Sequence, residues 1–207
     1  NGRYISYTDG ETWMRLRNNL PPAPVYWLEI QERFDDLVVG TYGRGYYILD
    51  NVAPLREFDM DAKDEKAHLF SMRPAYRFID QQAIKTDGPS MNSGENPSYG
   101  ADIHYYLKDS TDQKVSIEIL TMDNQLIRSL EGKTDPGIHR VMWDLRYAPT
   151  YKPKLQSTPP GRPWVQLNGE GWRPLITWDL DLWRGQFGPR VVPQQYKLSL
   201  IHISYTT

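Results

Sequence analysis

Leu37-Val-Val-Gly-Thr-Tyr-Gly-Arg-Gly-Tyr-Tyr-Ile-Leu-Asp50 decides the fold class of this chain. The stretch holds two runs of β-branched and aromatic residues, Leu37–Thr41 and Tyr46–Leu49, that suit a pleated sheet. Between them, Gly43-Arg44-Gly45 can take up positive φ at little cost, as a tight turn requires. The stretch therefore predicts a β-hairpin. It also divides the chain, because the sequence on either side of it reads as two different β modules.

Upstream, Arg3–Tyr7 alternates as a strand does, Thr8-Asp9-Gly10-Glu11 makes a turn and Thr12–Leu16 restarts a strand. A stiff Leu20-Pro-Pro-Ala-Pro24 connector leads to Val25–Ile30, and Asp35-Asp36 turns the chain into the hairpin. Short antiparallel strands at this spacing predict a blade of a β-propeller over residues 1–55. One blade cannot cover both of its faces, so neighbouring blades are the expected partners. The chain begins at Asn1 inside a strand and reads as a fragment.

Downstream, the charge-rich run 56–66 and the Gly-, Pro-, Ser- and Asn-rich run 80–98 mark residues 56–100 as a linker. His68, beside an apolar pair, reads as a surface or packing residue. Strand candidates then follow closely: Asp102–Leu107, Val115–Leu120, Gln125–Leu130 and His139–Leu145. They predict a small antiparallel β-sandwich over residues 101–207, making the whole chain all-β. Trp143 is a core candidate. Ala101–Lys197 is expected to be the part that folds alone. A Pro- and Trp-rich insertion interrupts the sandwich at about 148–187. The insertion reads first as self-packing; its Trp164, Trp172, Trp178 and Trp183 are also candidates for stacking on sugar rings.

The overall balance excludes several functions. Lys and Arg total 24 against 26 Asp and Glu, a net charge of -2, which gives no electrostatic case for nucleic acid. There is no cysteine, so neither disulfides nor thiolate metal sites can form. No apolar run is long enough to span a bilayer. No Ser/His/Asp set, phosphate loop or histidine cluster stands out, and no acidic run has EF-hand spacing, so neither catalytic residues nor a metal or other cofactor is expected from this stretch.

Several motifs carry a family resemblance. Ser6-Tyr-Thr-Asp-Gly-Glu-Thr-Trp13 resembles the Asp-box of bacterial-neuraminidase-type repeats, matching at Ser6, Gly10, Thr12 and Trp13. The resemblance implies a hairpin turn whose amides are bonded by an acidic side chain, with the Trp packed beneath. Thr8 stands at the usual acidic position, and Asp9 beside it reads as a turn-capping carboxylate rather than a catalytic acid or metal ligand. Gly40–Asp50 with Pro54-Leu55, then Leu69-Phe-Ser-Met-Arg-Pro-Ala75 and Asn96-Pro-Ser-Tyr-Gly100, resemble the secreted bacterial sortilin-like, Asp-box glycosyl-hydrolase-like propeller proteins. Tyr42 stands where histidine is common in that family. Val115–Leu130, then Gly137–Asp144, and Val192-Pro-Gln-Gln-Tyr196, where Gln194 replaces a glycine, resemble FlgD-like immunoglobulin-type modules.

The resemblance implies an extracellular or periplasmic protein whose terminal blade joins upstream blades and carries an accessory sandwich. It also implies two alternatives. One is a glycoside hydrolase whose paired carboxylates lie on other blades. The other is a peptide- or glycan-binding module, with Tyr42, Arg44 and Tyr46 as propeller-face contacts. The tail Leu198–Ser204 alternates as a final strand would, but equals the translation of a transposon-end adapter used in sequencing libraries. The native last strand is therefore expected to be truncated, and His202 to carry no role.

Overall fold

The computed structural model describes residues 4–16, 20, 22–58, 60–78, 97–149, 154–173, 176–177, 180–181 and 187–202. These residues form mostly strands, in small antiparallel sheets, with two short helices.

The quoted stretch folds as expected. β3 (Val25–Gln31), β4 (Asp36–Thr41) and β5 (Tyr46–Leu49) make a three-stranded meander in the order β3-β4-β5. The β4–β5 turn has Gly43 at φ 72° and Gly45 at φ 74°, the left-handed region that glycine adopts without penalty. Thr41 closes it, donating its N–H and its hydroxyl to the Gly45 carbonyl at 3.1 and 2.6 Å. A bulge between Val25 and Trp27 shifts the β3–β4 register.

The register determines the faces, because residues paired across strands point the same way. Leu28, Val39 and Tyr47 form one row, and Trp27, Gly40 and Tyr46 form a row on the opposite face. Both faces carry apolar groups, and only Val39 on these strands has its side chain fully buried. Trp27 and Tyr46 are 67% and 83% exposed, and Leu28 and Ile48 are also exposed. Ahead of this meander, β1 (Tyr4–Ile5) and β2 (Met14–Arg15) pair around the Thr8–Glu11 turn.

After β5 the chain enters α1 (Ala53–Glu57), with Pro54 in its first turn, where the missing N–H costs nothing. α2 (Met60–Asp64) and β6 (Ala67–Leu69) follow. Thus the stretch expected to be a linker, residues 56–100, contains the end of α1, the whole of α2 and a strand, and β6 joins the sandwich sheet by pairing Ala67, His68 and Leu69 with Leu107, Tyr106 and Tyr105. The sandwich accordingly extends beyond Ala101–Lys197.

The sandwich consists of two three-stranded sheets. β7 (Ala101–Leu107) lies between β6 and β10 (Gly137–Trp143), β11 (Ile176–Thr177) and β12 (Leu180–Asp181) pair with each other within the insertion, and β8 (Val115–Leu120) lies between β9 (Leu126–Glu131) and β13 (Lys197–His202). The expected strands match to within a residue or two at each end. β13 takes up most of the tail, pairing Lys197–His202 with Leu120–Val115.

Strict alternation builds the core. Ala101, Ile103, Tyr105 and Leu107 of β7 face Val115, Ile117 and Ile119 of β8, and all are buried. Trp143 is buried with them, as its residue type suggested; its indole N–H donates to the Arg146 carbonyl at 2.9 Å, and its ring meets Tyr196 edge-on. Gly100, at φ 134°, brings the chain against β10 so closely that a Cβ there would lie 2.2 Å from the Trp143 carbonyl oxygen.

The other residues of β7, namely Asp102, His104 and Tyr106, point outward. A second apolar cluster of Phe58, Ala62 and Phe70 packs on that outer face against Tyr106 and Ile138, and Tyr7 of the first hairpin reaches it. Phe58 meets Tyr106 edge-on at 4.9 Å and Tyr7 at 5.8 Å. Helix α1 is thereby fixed to the sandwich.

Candidate functional site

The outer face of β7 and the end of β5 meet in a polar joint. Asn51 lies at its centre. It is buried and left-handed at φ 53°, a conformation that asparagine tolerates better than most residues. Its N–H donates to Asp36 Oδ1 at 2.9 Å, tying β5 to the start of β4. Its side-chain amide donates to Asp102 Oδ2 at 2.6 Å, bridging the end of β5 and the outer face of β7, and its Oδ1 accepts from Ala53 N–H at 3.3 Å, starting α1.

Arg73 runs through the same space. Its guanidinium donates to the Phe34 carbonyl and lies 3.8 Å from Asp36 and 3.5 Å from Asp102. Arg140, on the neighbouring strand β10, pairs with Asp50 at 3.6 Å. A cleft of about 510 Å³ opens beside the joint, lined by Phe34, Asp50, Arg73, Tyr76, Tyr99 and Asp102. A second, of about 880 Å³, lies at the end of the sandwich among Met72, Met122, Trp143, Val191 and Tyr196.

Two histidines border the joint in opposite environments. His104 is nearly buried, 4.0 Å from Asp102. Burial pushes its pKa below the usual 6.5; Asp102 opposes this, while Arg140 and Arg73 add to it. His68 also suffers from burial, but hydrogen bonds to Glu65 at 2.8 Å and Glu57 at 3.3 Å prevail and raise its pKa. Glu57 also accepts from Ser71 N–H, so His68 helps to pin α1 to β6.

The residues singled out from the sequence lie elsewhere. In the Asp-box-like turn, Ser6 Oγ accepts from Gly10 N–H at 2.8 Å and Thr8 Oγ1 accepts from Thr12 N–H at 2.8 Å. Thr8 thus performs the bonding expected of an acid at that position. Asp9 does not cap the turn: it is exposed, takes the left-handed backbone at φ 50°, and makes no hydrogen bond among the described residues. Trp13 does not pack beneath the turn either. It lies alongside Gly10 and stays 62% exposed.

Tyr42, Arg44 and Tyr46 sit on the β4–β5 hairpin as expected, all exposed. Tyr42 stacks on Tyr26, centroids 5.5 Å apart, a partner the sequence did not reveal. Tyr46 covers Gly40.

In the insertion, Leu155 and Arg173 exchange backbone bonds at 2.8 and 3.2 Å, and Asn168 turns the chain between them. Trp172 donates to Glu170 at 2.6 Å and lies under Lys154, whereas Trp164 is 65% exposed. The side chains of Trp178 and Trp183 lie outside the described residues. The ends of the insertion are joined where Tyr147 N–H bonds the Pro189 carbonyl and Arg146 the Gly188 carbonyl.

Among the described residues, no group of three or more His, Asp or Glu side chains could hold a metal ion. No helix among them is long and apolar enough to cross a membrane. No family model matches the chain, and comparison with curated proteins and with solved structures finds no match.

Proposed function

We propose that this chain is the non-catalytic C-terminal part of a secreted bacterial propeller protein of the sortilin-like, Asp-box type. In this reading β3–β5 belong to its terminal blade, and a FlgD-like immunoglobulin-type sandwich is attached to that blade as a structural accessory. One observation carries the reading. The meander exposes Leu28 on one face and Trp27, Tyr46 and Ile48 on the other, and none of its described residues enters either buried apolar cluster. A sheet apolar on both faces needs a layer on each side, which is the situation of a propeller blade. The polar joint explains how a sandwich with its own core is held to such a sheet.

An apolar-dye titration of the full chain tests this. The uncovered blade should bind dye, and W27S/Y46S/I48S should abolish most of that binding while leaving the sandwich melt unchanged. Dye binding that survives the triple substitution would refute the blade reading.

A second reading, glycan contact, rests on the exposure of Trp164 and the stacked Tyr26–Tyr42 pair. Retardation of the chain in polysaccharide-containing gels, lost in W164A or Y42A, would support it. Unretarded migration would remove it.

A further inference from the structure

The sandwich is unevenly filled. The inward positions of β7 hold Ile103, Tyr105 and Leu107 along most of the strand, but Ala101 at its start, opposite Trp143 of β10. A methyl group at that place leaves room between the sheets, and the cavity of about 880 Å³ lies at this end. Its size falls within the range of small-molecule sites, roughly 300–1,000 Å³.

Much of its lining is apolar. Trp143 has already given its indole N–H to the Arg146 carbonyl, and Tyr196 its hydroxyl to the Val192 carbonyl. Met72 lines the cavity from the chain after β6 and Met122 from the chain after β8, each with an unbranched thioether that adapts to the shape beside it. Met122 and Val192 stand exposed.

The charges around it have one sign. Arg73, Arg77 and Lys197 line the cavity, and among the described residues no Asp or Glu does. Arg73 is matched by Asp36 and Asp102. Arg77 donates to the Val191 carbonyl at 2.7 Å and Lys197 to Asn124 Oδ1 at 3.0 Å, both neutral acceptors. Neither has a carboxylate within ion-pair distance among the described residues. An apolar cavity bordered by two unmatched cations is complementary to an apolar chain that ends in one negative charge.

We propose that this end of the sandwich binds a medium-chain carboxylate, with its chain against Met72, Met122 and Trp143 and its head between Arg77 and Lys197. No residue of β1–β5 lines the cavity, so the site is independent of the blade reading.

Methyl-labelled methionine NMR of the full chain, titrated with decanoate below its micelle threshold, tests this. The Met72 and Met122 signals, identified through Met72→Leu and Met122→Leu, should shift together and saturate, while Met14 on β2 should not move. Decyltrimethylammonium, with the same chain and a positive head, should bind about tenfold more weakly or worse. Arg77→Gln and Lys197→Gln should each weaken decanoate roughly tenfold, and Val192→Asp should abolish its binding. All three positions are exposed, so the fold is not at stake. If Arg77→Gln nevertheless melts markedly below the parent, Lys197→Gln is read alone. Unmoved Met72 and Met122 signals overturn the proposal. So do equal shifts with both amphiphiles, or decanoate affinity that survives loss of the cations.

Discussion

Replacing Asn51 tests the joint most sharply, because side chain and backbone contribute separately. The amide of Asn51 reaches Asp102 at 2.6 Å, a hydrogen bond to a charged acceptor that contributes about 1.5–3 kcal/mol. Its backbone at φ 53° would cost an alanine about 1–2 kcal/mol. Asn51→Gly loses the first contribution and avoids the second, while gaining about 0.5–1 kcal/mol of unfolded-state freedom that also disfavours folding. Asn51→Ala loses both contributions. The expected order of stability is therefore Asn, then Gly, then Ala, with Gly about 2–4 kcal/mol below the parent and Ala about 0.5–1 kcal/mol lower still. For a chain of this size each kcal/mol moves the midpoint by about 2–4 °C, so Gly should melt at least about 4 °C early. Differential scanning calorimetry near neutral pH reads both steps. A glycine variant that melts with the parent would refute the bridge to Asp102. An alanine variant more stable than the glycine one would refute the strained backbone.

Three further outcomes follow from the geometry. Gly100→Ala would set a Cβ 2.2 Å from the Trp143 carbonyl, so the β7–β10 pair must part; loss of about 3 kcal/mol or more is expected, read as loss of soluble yield or of the calorimetric transition. Thr8→Ala removes the acceptor for Thr12 N–H and should cost about 1 kcal/mol, whereas Thr8→Asp should restore or exceed parent stability through a charge-assisted bond; hydrogen exchange at Thr12 distinguishes them. His68 has its pKa raised, so its contribution is present below 6.5 and lost as the pH rises through the elevated value; His68→Gln should flatten that part of a melting-temperature-against-pH curve.

Local pattern made the strands legible. Val115-Ser-Ile-Glu-Ile119 alternates, and it packs its Val and Ile side chains inward as written. Gly43 and Gly45 marked a turn that needs positive φ and has it. β6 was hidden because three residues beside a charged run carry no period, and its partner β7 lies more than thirty residues on. The joint was hidden for a different reason. Asp36 looked like a turn residue, Asp102 like the polar position of a half-buried strand, and Arg73 like part of a linker, and each reading is locally correct. Only the tertiary arrangement brings them together, and no spacing in one dimension encodes it. Asp9 misled because the side chain that bonds the turn is set by position rather than acidity, and a threonine hydroxyl accepts the same N–H.

The alternation of β7 has a bearing on how this chain tolerates change. Most strands at a domain surface have a free side, where substitutions accumulate without effect. In β7, Ala101, Ile103, Tyr105 and Leu107 are committed to the core, while Asp102, His104 and Tyr106 are committed to the polar joint and to Phe58. A single inserted residue would exchange the two sets and damage both contacts at once. In a saturation-mutagenesis map, β7 should therefore appear as an unbroken intolerant band, with hydrophobic and polar positions alike, whereas β9, which packs Ile127 and Leu130 into the core and leaves most of its other side chains open, should show intolerance chiefly at those two positions.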